Sequence, residues 1–157
     1  MRVVRAVLSA AFLSVISCGG SSTGPNSSGS NSCSTPLSAM VNGVAWCSPL
    51  PQATVSKSIV SIAGFDSGIT SSLGFAVVAN APGTYSLTFA NGNGGSATYS
   101  KAGQGWSSGL AGGTGSVTIT TLTASHIVGT FAFDAVPASG GASGTIHVVS
   151  GQINMTF

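Results

Sequence analysis

The sequence predicts an all-β fold, an antiparallel β-sandwich or small barrel of about 8–10 strands. Three observations carry this. From about Leu37 onward apolar residues recur with a period of two. Clusters of Gly, Asn, Pro and Ser interrupt the pattern at roughly ten-residue spacing, as strand-connecting turns do. No stretch sustains a helical period, and β-branched residues are abundant.

The first element is a hairpin. Met40-Val41 and Val44-Ala45-Trp46 flank Asn42-Gly43, a pair that tolerates the two positive φ angles of a type I′ turn. Ile59-Val60-Ser61-Ile62-Ala63 and Leu73-Gly74-Phe75-Ala76-Val77-Val78 are apolar on both faces and read as central strands covered on both sides. Thr84 to Phe89, Ser96 to Ser100 and Ser116 to Thr120 alternate without a fault, which places Tyr85 and Tyr99 in the core. His126 to Phe133 puts Ile127, Phe131 and Phe133 on one face. Near the end, the inward parity slips between Ile146/Val148 and Ile153/Met155/Phe157. A bulge near Ser150-Gly151 within one long bent strand accounts for the slip.

Composition bounds the chemistry. Of 157 residues only 4% are charged, against roughly 25% for an ordinary soluble domain. Both arginines, Arg2 and Arg5, stand at the extreme N-terminus, and beyond them Lys57 and Lys101 cancel Asp66 and Asp134. Glutamate is absent. The folded part therefore presents no basic surface for nucleic acid, and few groups are available for acid/base catalysis.

The N-terminus reads as an address. Met1-Arg2-Val3-Val4-Arg5 is a short basic segment, and Ala6 to Ile16 is an apolar run too short to span a bilayer as a helix. Val15-Ile16-Ser17-Cys18 resembles the lipobox of bacterial lipoprotein signal peptides. That resemblance implies cleavage between Ser17 and Cys18 and acyl chains on Cys18, two or three of which anchor a protein firmly where one does not. Gly19 following the cysteine, in place of Asp, implies sorting to the outer membrane, facing either the periplasm or the medium. Residues 19–32 contain no large apolar side chain, so they cannot offset the entropy of ordering. The expected organisation is a signal peptide over 1–17, a Gly/Ser-rich flexible tether over 18–36 and a β-domain over 37–157. As a coil of about 16 residues the tether spans roughly 20–25 Å.

With Cys18 assigned to lipid, Cys33 and Cys47 remain as an even pair in an oxidising compartment. A disulfide between them would close a loop of about 15 residues and contribute on the order of 3 kcal/mol. The alternative is two independent thiols, with Cys47 buried beside Trp46.

The polar constellation that stands out is His126, Asp134 and His147. Asp134 lies eight residues beyond His126, roughly 27 Å along an extended strand, so the two cannot share one ion. Surface histidines are the simpler reading, and neither a metal nor a cofactor is expected. Asp66 is explained by its turn. Trp106, within Gly103-Gln104-Gly105-Trp106-Ser107-Ser108-Gly109, is expected to be the exposed aromatic and is the candidate contact for a ligand.

Several segments taken together carry a further resemblance: Val41-Asn42-Gly43-Val44-Ala45-Trp46, Pro82-Gly83-Thr84-Tyr85-Ser86-Leu87, Gly115 to Thr120 followed by Ile127 to Phe133, and Ser150-Gly151-Gln152-Ile153. The chain from about residue 39 onward is similar to a family of small β-sandwich envelope lipoproteins of unknown function, common in Bacteroidetes-like bacteria. The family confers no catalytic residues. The expected role is a non-enzymatic binding or structural module, held to the membrane by its lipid and meeting a glycan or an envelope protein. A carbohydrate-binding surface module using Trp106 is the alternative, and an envelope hydrolase using His126 or His147 a further one.

Overall fold

The computed structural model describes residues 33–89 and 94–157. The expected signal peptide, the Ser17–Cys18 bond and the Gly/Ser segment up to residue 32 lie outside the described residues. Within them there are eleven strands and no helix. The strands are β1 (Leu37–Val41), β2 (Val44–Ser48), β3 (Gln52–Ser56), β4 (Ile59–Phe65), β5 (Ser71–Val78), β6 (Gly83–Ser86), β7 (Ser96–Lys101), β8 (Gln104–Ser107), β9 (Thr114–Leu122), β10 (His126–Ser139) and β11 (Ile146–Thr156). All their pairings are antiparallel.

One strand makes the sheet curl into two layers. The 14-residue β10 pairs along His126–Ala135 with β11 and along Ile127–Asp134 with β9. Beyond that its Val136–Ser139 end pairs with β8. Pro137, which cannot donate to a ladder, sits beside a register shift in that last stretch. The first layer therefore runs β2-β1-β11-β10-β9-β6, and the second runs β10-β8-β7-β5-β4-β3. Their inner faces meet in a single core, where the rings of Phe75 from the second layer and Phe131 from the first lie 5.5 Å apart.

The period-two pattern is the cause of this core. Along β5 buried residues alternate with half-exposed ones, and Leu73, Phe75 and Val77 point inward. Along β10, Ile127, Phe131, Phe133 and Ala135 are all buried. The Asn42-Gly43 turn has φ of 48° and 79°, the type I′ geometry expected of it. The parity slip in β11 is a bulge: Phe131 faces Gly151 and Phe133 faces Val148, so Val149 and Ser150 together oppose Ala132. Ser150 has φ 53°, and the ladder to β1 shifts at the same place.

Two expectations need correction. β4 and β5 are central within their layer, yet each has one face in water: Ile59 is 48% exposed and Val78 63%. Small outward residues such as Ala63, Gly74 and Ala76 gave those strands an apolar composition without a covering layer. The strand number, eleven, also exceeds the expected range, because β3 precedes and β8 follows a turn that lacks the usual signal. The Lys57–Ser58 turn has φ of 49° and 67°, and the Ala102–Gly103 turn 51° and 79°.

Candidate functional site

Three turns and one strand start gather at one end of the two layers. They are Asn42-Gly43 between β1 and β2, Asp66 to Thr70 between β4 and β5, Ala102-Gly103 between β7 and β8, and Ile146 at the head of β11. The first two turns, with Lys101 and Ile146, enclose an open cleft of about 400 Å³ between the layers. Trp46, Tyr99 and Trp106 line it with aromatic carbon, and Asn42, Asp66 and Ser71 with polar atoms.

The Asp66 turn is built by its own side chain. The carboxylate accepts a hydrogen bond from the Thr70 backbone N–H at 2.7 Å, from the Thr70 hydroxyl at 2.6 Å and from the Ser71 hydroxyl at 2.8 Å. Ser71 Oγ in turn accepts from the indole Nε1–H of Trp46 at 3.0 Å. A relay thus runs from the first layer across the cleft to the β4–β5 turn. The donated hydrogen bonds, the Thr70 hydroxyl foremost, hold the Asp66 carboxyl down from the ordinary 3.8 to about 2. A carboxylate so held is a fixed anion at neutral pH, suited to organising the cleft rather than to carrying protons.

Trp106 is not exposed, contrary to the expectation from its glycine-rich surroundings. It is 6% exposed and belongs to the core. Gln104–Ser107 forms strand β8, whose register sets Trp106 directly opposite Tyr99, with the two rings 6.0 Å apart. The indole N–H donates to the Gly144 carbonyl at 3.1 Å, which ties the β10–β11 loop to the wall of the cleft. Trp106 still lines the cleft, but as part of a buried wall and not as a free platform.

Of the His126, Asp134 and His147 constellation, the fold brings two members together. Asp134 and His147 are directly opposed on β10 and β11, with Nδ1 of His147 2.7 Å from Oδ1 of Asp134. Both side chains are open to solvent, 62% for His147 and 44% for Asp134. His126 stands at the other end of β10, opposite Thr156, whose hydroxyl is 3.3 Å from its Nδ1. Among the described residues no three His, Cys, Asp or Glu side chains converge as metal ligands would. The pair is coupled to the cleft through Asn42: its side-chain oxygen accepts from the His147 N–H at 2.8 Å, and its own N–H donates to the His147 carbonyl at 2.8 Å.

Cys33 and Cys47 form a disulfide, with Cα atoms 5.8 Å apart. Cys47 lies opposite Ser38 on β2 and lines the cleft. Pro36 is also attached to the domain, accepting from the Asn154 N–H at 2.8 Å.

Asn42, Thr70 and Ser71 were not legible as site residues. Asn42 reads as a turn and nothing more. The Asp-Ser-Gly-Ile-Thr-Ser run does carry a signal, an Asp followed by hydroxyls four and five residues on. Its partner Trp46, 25 residues distant from Ser71, carries none.

The family described as Domain of unknown function (DUF6252) matches residues 34–154. No curated protein and no solved structure matches the chain.

Proposed function

We propose, for a chain that belongs to the DUF6252 family of domains of unknown function, that it is a lipid-anchored protein of the bacterial envelope whose β-domain binds a small ligand without transforming it. The lipobox-like Val15-Ile16-Ser17-Cys18 supports the anchor, with Ser17–Cys18 as the cleaved bond, Cys18 as the acylated residue and the outer membrane as its location. The cleft is the observation that supports binding. Concave sites that are mainly apolar, with a few fixed polar groups, are where small ligands bind. Here aromatic walls meet Asn42 and Ser71, and the one carboxylate is already engaged by Thr70 and Ser71. Carbohydrate is the ligand class that fits: sugar rings present C–H faces to aromatic carbon and hydroxyls to amide and hydroxyl groups.

A glycan array probed with the purified chain tests this reading. The control is Trp106→Phe, which keeps an aromatic side chain, though a smaller one, and removes the indole N–H. Binding that Asn42→Ala weakens tenfold or more supports the cleft; binding to no glycan removes the carbohydrate version. Mass spectrometry of the N-terminal peptide tests the anchor, which requires acyl chains on Cys18 and their loss in Cys18→Ser.

One observation favours a second reading, an envelope hydrolase. Asp134 on Nδ1 of His147 leaves Nε2 facing outward, the orientation of a general base. His126, the other histidine of that reading, has a threonine neighbour instead. Hydrolysis of an envelope ester or glycoside that His147→Ala abolishes and His126→Ala spares would establish it. A purely structural or assembly role predicts crosslinks to envelope proteins and no ligand in the cleft.

A further inference from the structure

The end of the domain at which the cleft opens carries three large apolar side chains in water, together called its rim: Val44 (70% exposed), Phe65 (55%) and Ile69 (78%). They come from separate elements. Val44 follows the Asn42-Gly43 turn, Phe65 ends β4 and Ile69 sits in the β4–β5 turn. Val44 lines the cleft, while Phe65 and Ile69 line a shallow hollow on the adjoining outer side of the second layer; the two hollows meet at Thr70, Ser71 and Lys101.

Ile69 is the anomaly. Its φ is 53°, in the left-handed region that β-branched residues avoid. Glycine or asparagine would take that conformation at lower cost and would keep apolar carbon out of water. The turn imposes it nonetheless: the Asp66 carbonyl accepts from the Ile69 N–H at 3.0 Å, while the Asp66 side chain grips Thr70 on the next residue. Strain that the surroundings over-determine points to a use for the side chain it displays.

We infer that this rim docks on the surface of a lipid bilayer, the one holding the protein's own acyl chains. The inference rests on the lipid-anchor reading above for its occupant. The chain outside the described residues ends at Cys33, and Cys33 is bonded to Cys47 of the cleft wall. From Cys18 to Cys33 about 15 residues reach at most about 50 Å. The mouth is therefore confined near the bilayer, where a high effective concentration makes weak apolar contacts sufficient. The charge at the mouth permits this approach. Lys101 is its cation, the Asp66 carboxylate is already engaged, and Asp134 nearby is paired with His147. Three separated apolar side chains at one end of the domain suit insertion between headgroups, as interfacial apolar groups do. The cleft then opens toward the membrane, and its ligand is a group presented at that surface.

The test uses the acylated protein reconstituted in vesicles of phosphatidylethanolamine and phosphatidylglycerol. An environment-sensitive thiol probe is placed in turn at V44C, F65C, I69C and, as a control on the outer face of the first layer, T120C. Lipid-borne quenchers are expected to quench the three rim probes at least threefold more than the probe at position 120. Equal quenching at all four positions overturns the inference. Shielding of the rim that appears without vesicles and grows with protein concentration assigns it to a second copy and also overturns it. Mass spectrometry of the same samples reports acylation of Cys18 separately. If Cys18 carries no lipid, the anchor reading fails, and the chain added to preformed vesicles still decides the rim. Sedimentation of the unlabelled chain with those vesicles must then fall at least fivefold in Val44→Ser/Phe65→Ser/Ile69→Ser.

Discussion

At the mouth of the domain the Asp66 carboxylate accepts three hydrogen bonds within a single turn, while on the outer face of the first layer Asp134 meets His147 with both side chains largely in water. Around Asp66 the donors are adjacent in sequence, and one of them, Ser71, is buried and relays the contact to the indole of Trp46. Around Asp134 the partner is a neighbouring strand's side chain, and the next contact is a long one from the Thr114 hydroxyl at 3.4 Å. The mouth thus behaves as part of the core, with a shape set by fixed polar groups. The outer face carries solvated Ser, Thr and His, such as the exposed Thr84–Thr118 hydroxyl pair at 2.9 Å.

The sharpest way to break this comparison is Trp106→Ala. Deleting a buried aromatic should cost about 3–5 kcal/mol, read as a lowered urea midpoint, whereas Thr118→Ala on the outer face should stay within about 0.5 kcal/mol. Similar losses at both sites would erase the distinction between the two regions. Asp66→Ala comes next. It strands the Ser71 hydroxyl and the Thr70 N–H and should cost about 1–3 kcal/mol.

Asp66 also predicts an acid limb. Its folded pKa, about 2, lies below the ordinary 3.8, so its contribution is complete above pH 3.8 and is lost as the pH falls through about 2. The stability–pH curve of Asp66→Ala should be flatter than the parent's across that window. Ile69→Gly should raise stability by about 0.5–1 kcal/mol, since relief of the left-handed strain outweighs the added freedom of the unfolded chain. A loss there would mean that the Ile69 side chain packs on the domain. The smallest effect belongs to Asp134→Ala, where an exposed carboxylate–histidine contact contributes about 0–1 kcal/mol.

How far the sequence could be read depends on the distance over which each feature is determined. Alternation is local, so the all-β class, the buried faces of β9 and β10 and the bulge at Ser150 were all legible. So was the Asn42-Gly43 turn, because its residue types tolerate its φ angles. Lys57-Ser58 and Ala102-Gly103 adopt comparable angles without that signature, which hid β3 and β8. Losing β8 turned Trp106 outward in the reading, since only its register against Tyr99 directs it inward. The apolar runs of β4 and β5 suggested two covered faces, but composition does not reveal whether a second layer is there to cover Ile59 and Val78. The site was legible in pieces: Asp66 as a turn residue, Asp134 and His147 as one polar face. The relay from Trp46 through Ser71 to Asp66 joins residues that only the curl of the sheet brings together.

The chain has two tryptophans, and both line the cleft. Their two indole N–H resonances can be followed by heteronuclear NMR while envelope glycans are titrated into the isotopically labelled protein. The account predicts that a bound sugar moves both signals together and leaves the amides of Thr118 and Thr130, on the outer face, in place. Saturable binding that shifts those threonines while both indole signals stay fixed would contradict it.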